Sequence, residues 1–129
     1  MPIEIKYSNN NTGVQFSAVG DVCGQDIIKS CKEVFQSNEF SKLKYWISDR
    51  ERCTQYNVSS AEVREISNLN INAAKLNPTL LVAVISENDH QFGISRMYKS
   101  YTDDAAFKTS VFRDRQTAKN WINSELNKQ

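Results

Sequence analysis

The sequence contains few of the residues from which metal, disulfide and nucleotide sites are built. It has one histidine, His90, and three cysteines, Cys23, Cys31 and Cys53, none of which form a Cys-x-x-Cys pair. One histidine cannot make a histidine-rich zinc site, and an odd number of cysteines at these spacings argues against a disulfide framework or a cysteine-based zinc site. The four glycines form neither a Gly-x-Gly-x-x-Gly pattern nor a P-loop. We therefore expect no metal and no cofactor.

Long apolar runs and an excess of charge are also missing. The longest apolar run, residues 80–85, is far shorter than the roughly 20 residues that span a bilayer. Residues 1–6 lack the layout of a signal peptide. The net charge is +1, and Arg50, Arg52 and Arg64 alternate with glutamates as on a solvated mixed-charge face. We therefore expect a cytoplasmic protein that binds no nucleic acid.

Four acidic residues near predicted strand ends are the remaining candidates for chemistry: Asp21, Asp49, Glu87 and Asp89. Asp21 and Asp49 raise the alternative of a phospho-receiver domain, in which clustered carboxylates bind a divalent cation. Each strand end offers only one acid, however, and helix capping explains both residues. No base is placed beside a nucleophile. We therefore expect no enzymatic activity.

The apolar pattern predicts the element order β-β-α-β-α-β-α-β-α. Residues 3–7 and 14–18 alternate between apolar and polar on either side of a turn cluster, which predicts an antiparallel pair of strands. Residues 43–47 form a predicted buried strand, followed by a charged loop at 49–52. Residues 80–85 have no alternation, which is typical of a central parallel strand covered on both faces.

Three predicted helices have recognisable first residues. Asp21 is placed to cap the first helix. Ser59 and Glu62 have the spacing of a capping box at the start of the second helix. Asp114 is placed to cap the last helix. Strands that alternate with helices predict one α/β domain over residues 1–129, with a mostly parallel sheet, an antiparallel first strand and about four helices.

Two short stretches resemble a known family. They are Phe-Gly-Ile-Ser-Arg-Met-Tyr at 92–98, and Val-Phe-Arg-Asp at 111–114 followed by Ala118 and Trp121-Ile122. Together they resemble the bacterial SpoIIAA-like proteins, which are similar to STAS domains and to the lipid-binding Sec14/CRAL-TRIO group. The element order fits that family over nearly the whole chain. The resemblance implies a helix-flanked sheet and a non-enzymatic role, either in binding small apolar molecules or membrane lipid or in regulation through protein contact.

The first functional hypothesis is an apolar or lipid-like ligand held beneath residues 92–101, with peripheral contact to a membrane as one setting. Its candidate ligand-binding residues are Phe92, Ile94, Arg96, Met97, Tyr98 and Tyr101. A short helix that packs lightly could act as a lid, with Gly93 as its hinge. Arg96, in the first turn of that helix, could meet an anionic head group or pair with Glu87 or Asp89. The alternative that the apolar members are simply core residues stays open.

The second hypothesis is a protein-binding regulatory module of the anti-sigma-factor-antagonist type. Those antagonists carry a phosphorylatable serine after an Asp, and the matching stretch here is Val58-Ser59-Ser60-Ala61. Val58 replaces the Asp, which departs from the family pattern. Ser59 and Ser60 are the candidate regulatory residues, and the alternative for Ser59 is a purely structural helix cap. A homodimer is also left open.

Overall fold

A five-stranded mixed sheet organises the described part of this computed structural model, namely residues 2–86, 88–102 and 107–128. The strands lie side by side in chain order: β1 (Ile3–Ser8), β2 (Gly13–Cys23), β3 (Tyr45–Asn57), β4 (Leu81–Ile85) and β5 (Lys108–Phe112). β1 pairs antiparallel with β2, and β2 to β5 run parallel to one another. The predicted mostly parallel sheet with an antiparallel first strand is therefore confirmed.

Helices cover both faces of this sheet. The described residues form α1 (Gly24–Phe35), a short 3₁₀ helix (Phe40–Lys42), α2 (Ser60–Ala74), α3 (Asp89–Thr102) and α4 (Arg115–Leu126). Ile27, Ile66 and Ile94 bring α1, α2 and α3 into one core cluster, whereas Ala118 and Ile122 bring α4 into a second. Each connection between parallel strands leads to the next strand in the same direction across the sheet. Connections that share one handedness therefore place their helices on the same face of the sheet.

The central position predicted for residues 80–85 is confirmed. β4 lies between β3 and β5, and all five of its residues are buried. Val82 and Val84 belong to the core under α1, α2 and α3, whereas Ala83 and Ile85 belong to the core under α4. Successive side chains of a strand point to opposite faces, so a strand without polar alternation needs an apolar layer on each side.

The predicted caps of α2 and α4 are also confirmed. The Ser59 hydroxyl accepts a hydrogen bond from Glu62 N at 3.1 Å, and the Glu62 carboxylate accepts one from Ser59 N at 3.1 Å. Asp114 accepts from Thr117 N at 2.8 Å. Each cap supplies an acceptor for backbone N–H groups that have no partner inside the helix.

The predicted cap of the first helix is wrong. β2 continues past Asp21 to Cys23, because its pairing with β3 extends as far as Asn57. α1 therefore begins at Gly24, and the Asp26 carboxylate accepts from Cys23 N at 3.0 Å. Asp21 instead accepts a hydrogen bond from Thr54 Oγ1 at 3.0 Å.

The predicted charged loop at 49–52 is wrong as well, since β3 runs through it for 13 residues. Ser17 pairs with Asp49 and Val19 with Arg52, so two residues of β3 oppose one residue of β2. This arrangement is a β-bulge at Arg50 and Glu51. Asp49 is not a helix cap either: its buried carboxylate forms an ion pair with Arg115 of α4.

α3 begins earlier than the sequence pattern predicts. Its first residue is Asp89, and Asn88 Oδ1 accepts from Gln91 N at 2.8 Å, as a capping side chain does. His90 is exposed as expected but lies in the first turn of the helix, not in a loop. Arg96 consequently lies at the end of the second turn of α3, so its predicted placement in the first turn is wrong.

The first testable prediction concerns the cap of α2. Replacement of Ser59 by Ala should lower the free energy of unfolding by about 1 kcal/mol, because the N–H of Glu62 loses its acceptor. Urea denaturation measures the change. Ser60→Ala is the matched control: Ser60 is exposed in the first turn of α2, and Ala favours a helix, so stability should hold or rise slightly. Equal losses in the two variants would contradict the assignment of Ser59 as the cap.

The second prediction concerns pH. Hydrogen bonds from Thr117, chiefly from its backbone N–H, lower the pKa of Asp114 in the folded state. A carboxyl group of this kind stabilises the fold above its unfolded pKa, about 3.9, and loses that contribution as the pH falls through the folded value. Asn also caps helices but does not titrate in this range. The Tm advantage of wild type over Asp114→Asn at pH 7 should therefore shrink at pH 3. A difference that is the same at both pH values would show that the cap does not titrate as described.

Candidate functional site

A small cavity lies between the sheet and the three helices α1, α2 and α3. Its volume is about 60 Å³, and most of its lining is aliphatic or aromatic. Phe16 and Val84 belong to its floor on the sheet, and Ile27, Val63 and Ile94 belong to the helices above. Arg50 is its only lysine or arginine, and no carboxylate or histidine is among the described residues that line it.

The alternating side chains of β3 explain why polar groups reach this apolar space. Trp46, Ser48 and Arg50 all line the cavity, and residues two apart on a strand point to the same face. Ser48 is small, so it leaves room between its two large neighbours. The bulge at Arg50 lies at the cavity wall, and bulges commonly redirect a side chain beside a binding site.

Arg50 connects β3 to the first turns of α3. Its Nη1 donates hydrogen bonds to Ser86 Oγ at 3.3 Å, to Gln91 O at 3.5 Å and to Ser95 Oγ. The two serine hydroxyls lie 3.0 Å apart, and both residues are fully buried. The guanidinium carbon lies 4.3 Å from the centroid of the Tyr56 ring, within cation–π distance. These contacts fix the position of the guanidinium at the cavity wall.

None of the described carboxylates, which do not include those of Glu87 and Asp89, pairs with the positive charge of Arg50. The titratable groups whose pKa values the charge of Arg50 affects include the thiol of Cys31 and the phenols of Tyr56 and Tyr98. Burial raises the pKa of all three, that of Cys31 to about 12, although the charge of Arg50 acts in the opposite direction. These groups are therefore neutral at physiological pH and cannot balance the guanidinium.

Part of the guanidinium is also unused. All the hydrogen bonds that Arg50 donates to the described residues come from Nη1, which leaves Nε and Nη2 without a protein acceptor among those residues. Ser48 likewise has no hydrogen-bond partner in the described part of the chain. Two guanidinium nitrogens and one hydroxyl group of lining residues are therefore available to a ligand without the loss of a protein contact.

The buried face of α3 is unusually polar. Gln91, Ser95 and Thr102 are each at most 2% exposed, whereas Ile94 is its one buried hydrophobic residue in the described chain. Gln91 Oε1 is buried with no hydrogen-bond partner among the described residues. A buried acceptor without a partner costs free energy. The helix therefore contacts the core through a mixed face, on which Ile94 and the partly buried Met97, Tyr98 and Tyr101 lie beside these polar residues.

The structure divides the six residues predicted for the ligand site between different surfaces of α3. Ile94 and Tyr98 line the cavity. Met97 and Tyr101 are partly buried against the core, and the Arg64 guanidinium lies 4.4 Å from the centre of the Tyr101 ring.

Phe92 and Arg96 lie away from the cavity, in an open groove between α3 and β5. The guanidinium of Arg113 lies 4.1 Å from the centre of the Phe92 ring and that of Arg96 lies 6.0 Å from it. The two acids predicted to pair with Arg96 are Glu87 and Asp89. Glu87 and the side chain of Asp89 lie outside the described residues, so this pairing stays a prediction.

Sequence reasoning missed Arg50, which it placed on a solvated mixed-charge face. That interpretation is wrong for Arg50, which is half-buried at the cavity, although Arg52 does form an exposed pair with Glu4 at 2.8 Å. The alternation of Trp46, Ser48 and Arg50 was the available signal. It was obscured because the four consecutive charges at 49–52 are typical of a loop.

The two candidate regulatory serines are both exposed at the start of α2. The Ser59 hydroxyl lies 3.2 Å from Glu62 Oε1 and belongs to the capping box. A phosphate on Ser59 would therefore meet a carboxylate at close range. Its assignment as a phosphorylation site stays a prediction.

Two further findings concern the described residues as a whole. They contain no group of three or more His, Cys, Asp or Glu side chains that could hold a metal ion. None of the helices formed by these residues is long and apolar enough to cross a membrane.

Comparison with known proteins identifies the fold. No protein-family model and no curated protein matches the chain. The chain is similar to the crystal structure of an uncharacterized protein of the DUF3478 family from Shewanella loihica PV-4, which has a SpoIIAA-like fold. The similarity covers 93% of this chain and 91% of the other, with a TM-score of 0.52 and 16% sequence identity. The SpoIIAA-like fold expected from residues 92–98 and 111–114 is therefore confirmed.

The third prediction uses Cys31 as a reporter of the cavity. At pH 8 a thiol with a pKa of about 12 is ionised to only about one part in ten thousand, and only the thiolate reacts. Cys31 should therefore react with a disulfide reagent at least about a hundredfold more slowly than the exposed Cys23. The measurement needs two single-thiol proteins, Cys23→Ser/Cys53→Ser and Cys31→Ser/Cys53→Ser. Similar rates would contradict the burial of the Cys31 thiol beneath the helices.

Proposed function

We propose that this protein is a non-catalytic binding domain that holds a small, mostly apolar molecule in the cavity beneath α3. The observation that carries the proposal is a small, largely apolar space between the sheet and three helices, with one cationic side chain at its wall. Ligand sites in proteins share this composition, in which apolar walls supply affinity and a few polar groups fix orientation.

The volume of the cavity limits what it can hold in this conformation. It measures about 60 Å³, whereas a cavity of about 150 Å³ holds benzene. A molecule of benzene size or larger must therefore widen the site. A lipid acyl chain would need a much larger opening, so a small molecule fits this site better than an intact membrane lipid does.

α3 is the element that would move to widen the site. Its inner face combines the polar Gln91, Ser95 and Thr102 with Ile94 and the partly buried Met97, Tyr98 and Tyr101. The unsatisfied Gln91 Oε1 would gain a hydrogen bond to water when the helix shifts. That gain offsets part of the cost of moving the helix, which supports the role of a lid for it.

A catalytic role has less support from the same residues. Cys31 is the nucleophile type nearest the cavity, but burial keeps its thiol protonated, and no histidine or carboxylate among the described lining residues could accept its proton. His90, the single histidine, lies 3.2 Å from the carbonyl oxygen of Tyr56 and is not part of the lining. We therefore propose binding without turnover.

The regulatory alternative through Ser59 and Ser60 also has less support. Ser59 is already engaged in the capping box, and Glu62 would repel an added phosphate. A module of this kind would lose partner binding in Ser59→Ala with its stability retained, which is the opposite of the loss expected for a cap.

The fourth prediction tests the cavity with benzene as the probe. In an NMR titration, benzene should cause saturable shifts of the methyl signals of Ile27, Val84 and Ile94. Cys31→Leu should abolish these shifts, because Cys31 lines the cavity and the larger side chain fills it.

Cys53→Leu is the matched control, since Cys53 is half-buried and is not part of the lining. It should retain benzene binding. The proposal fails if wild type shows no saturable shifts, or if Cys31→Leu binds benzene as well as wild type does.

A further inference from the structure

Arg50, the cationic side chain at the cavity wall, indicates which class of ligand the cavity can bind. Arg50 is half-buried, and none of the carboxylates in the described part of the chain pairs with it. Its role in attaching α3 uses Nη1 alone. Nε and Nη2 are not among the buried atoms that lack a partner, so solvent reaches them and an incoming acceptor can do so as well.

The unused donors have the geometry of an anion site. Nε and Nη2 lie on one edge of the planar guanidinium, and such an edge matches the two oxygens of a carboxylate in a bidentate pair. Tyr56 stacks on the guanidinium at 4.3 Å and the serines bind Nη1, so the orientation of the plane is set before a ligand arrives. A donor pair that is already oriented binds with less loss of entropy.

We infer that the ligand is a small carboxylate whose oxygens accept hydrogen bonds from Nε and Nη2 of Arg50 and whose hydrocarbon part lies against Ile27, Val63 and Val84. This inference rests on the proposed function and assigns the chemical class of the ligand. Ser48 supplies a further hydroxyl at the same wall.

Charge and size distinguish this ligand from other anions. One guanidinium balances one negative charge, whereas a phosphate monoester carries about −1.5 to −2 at pH 7 and would leave charge unbalanced. The cavity of about 60 Å³ also favours a short carboxylate over a long one, since every added carbon requires further opening of α3.

The fifth prediction compares butanoate with butanamide, which has nearly the same shape and no charge. NMR titration of wild type should give a dissociation constant about tenfold lower for butanoate, because hydrogen bonds to an ionised group are stronger. Arg50→Gln should remove that preference. Arg52→Gln is the matched control, two residues along the same strand, where the arginine is exposed and pairs with Glu4; it should keep the preference.

Each outcome has one meaning. Equal binding of butanoate and butanamide to wild type would overturn the inference and leave the proposed function standing, as would binding of benzene alone. Absence of benzene binding would overturn the proposed function and, with it, this inference, which rests on that function. The wild-type comparison needs no variant, so it decides the matter even if Arg50→Gln does not fold. Arg50→Lys then serves as the second variant: it keeps the charge, loses the two-nitrogen edge, and should reduce the preference for butanoate.

Discussion

The attachment of Arg50 to the buried hydroxyls of Ser86 and Ser95 is the interaction on which the site depends. It joins three elements, because Arg50 lies on β3, Ser86 follows β4 and Ser95 lies on α3. Without it the first turns of α3 would have Ile94 as their main buried apolar contact with the sheet. The same attachment holds the guanidinium at the wall of an apolar space, which explains how a charged residue can lie there. One side chain therefore both attaches α3 beside the cavity and gives the cavity a positive charge.

The order of the strands explains why the cavity forms on one face only. Because β2 to β5 follow one another in chain order, α1, α2 and α3 all pack on the same face, and three helices must meet above four parallel strands. The opposite face is covered by α4, whose small Ala118 packs closely on β4 and whose Arg115 pairs with the buried Asp49. Polar residues of β3 thus serve both faces: Asp49 is neutralised by a partner from the protein, whereas Arg50, one residue later, has no such partner in the described chain.

Much of the fold could be predicted from the sequence, because the relevant signals are local. The uniform burial of β4, the capping box at Ser59 and the cap at Asp114 each follow from a few neighbouring residues. The extent of β3 could not be predicted, since its charged residues are stabilised by β2, by α4 and by the bulge, none of which is adjacent in sequence. The cavity depended on the same strand, so Arg50 was missed. Of the six residues predicted for the ligand site on α3, Ile94 and Tyr98 reach the cavity, because a helix directs its residues to all sides.

A crystal structure of the protein grown with butanoate tests the central claim most directly, because it locates the ligand and the guanidinium in one measurement. The account predicts butanoate in the cavity, with its carboxylate oxygens about 2.7–2.9 Å from Nε and Nη2 of Arg50 and its hydrocarbon part toward Val84. A cavity that holds only water, together with Nε and Nη2 bound to groups of the protein itself, would contradict it.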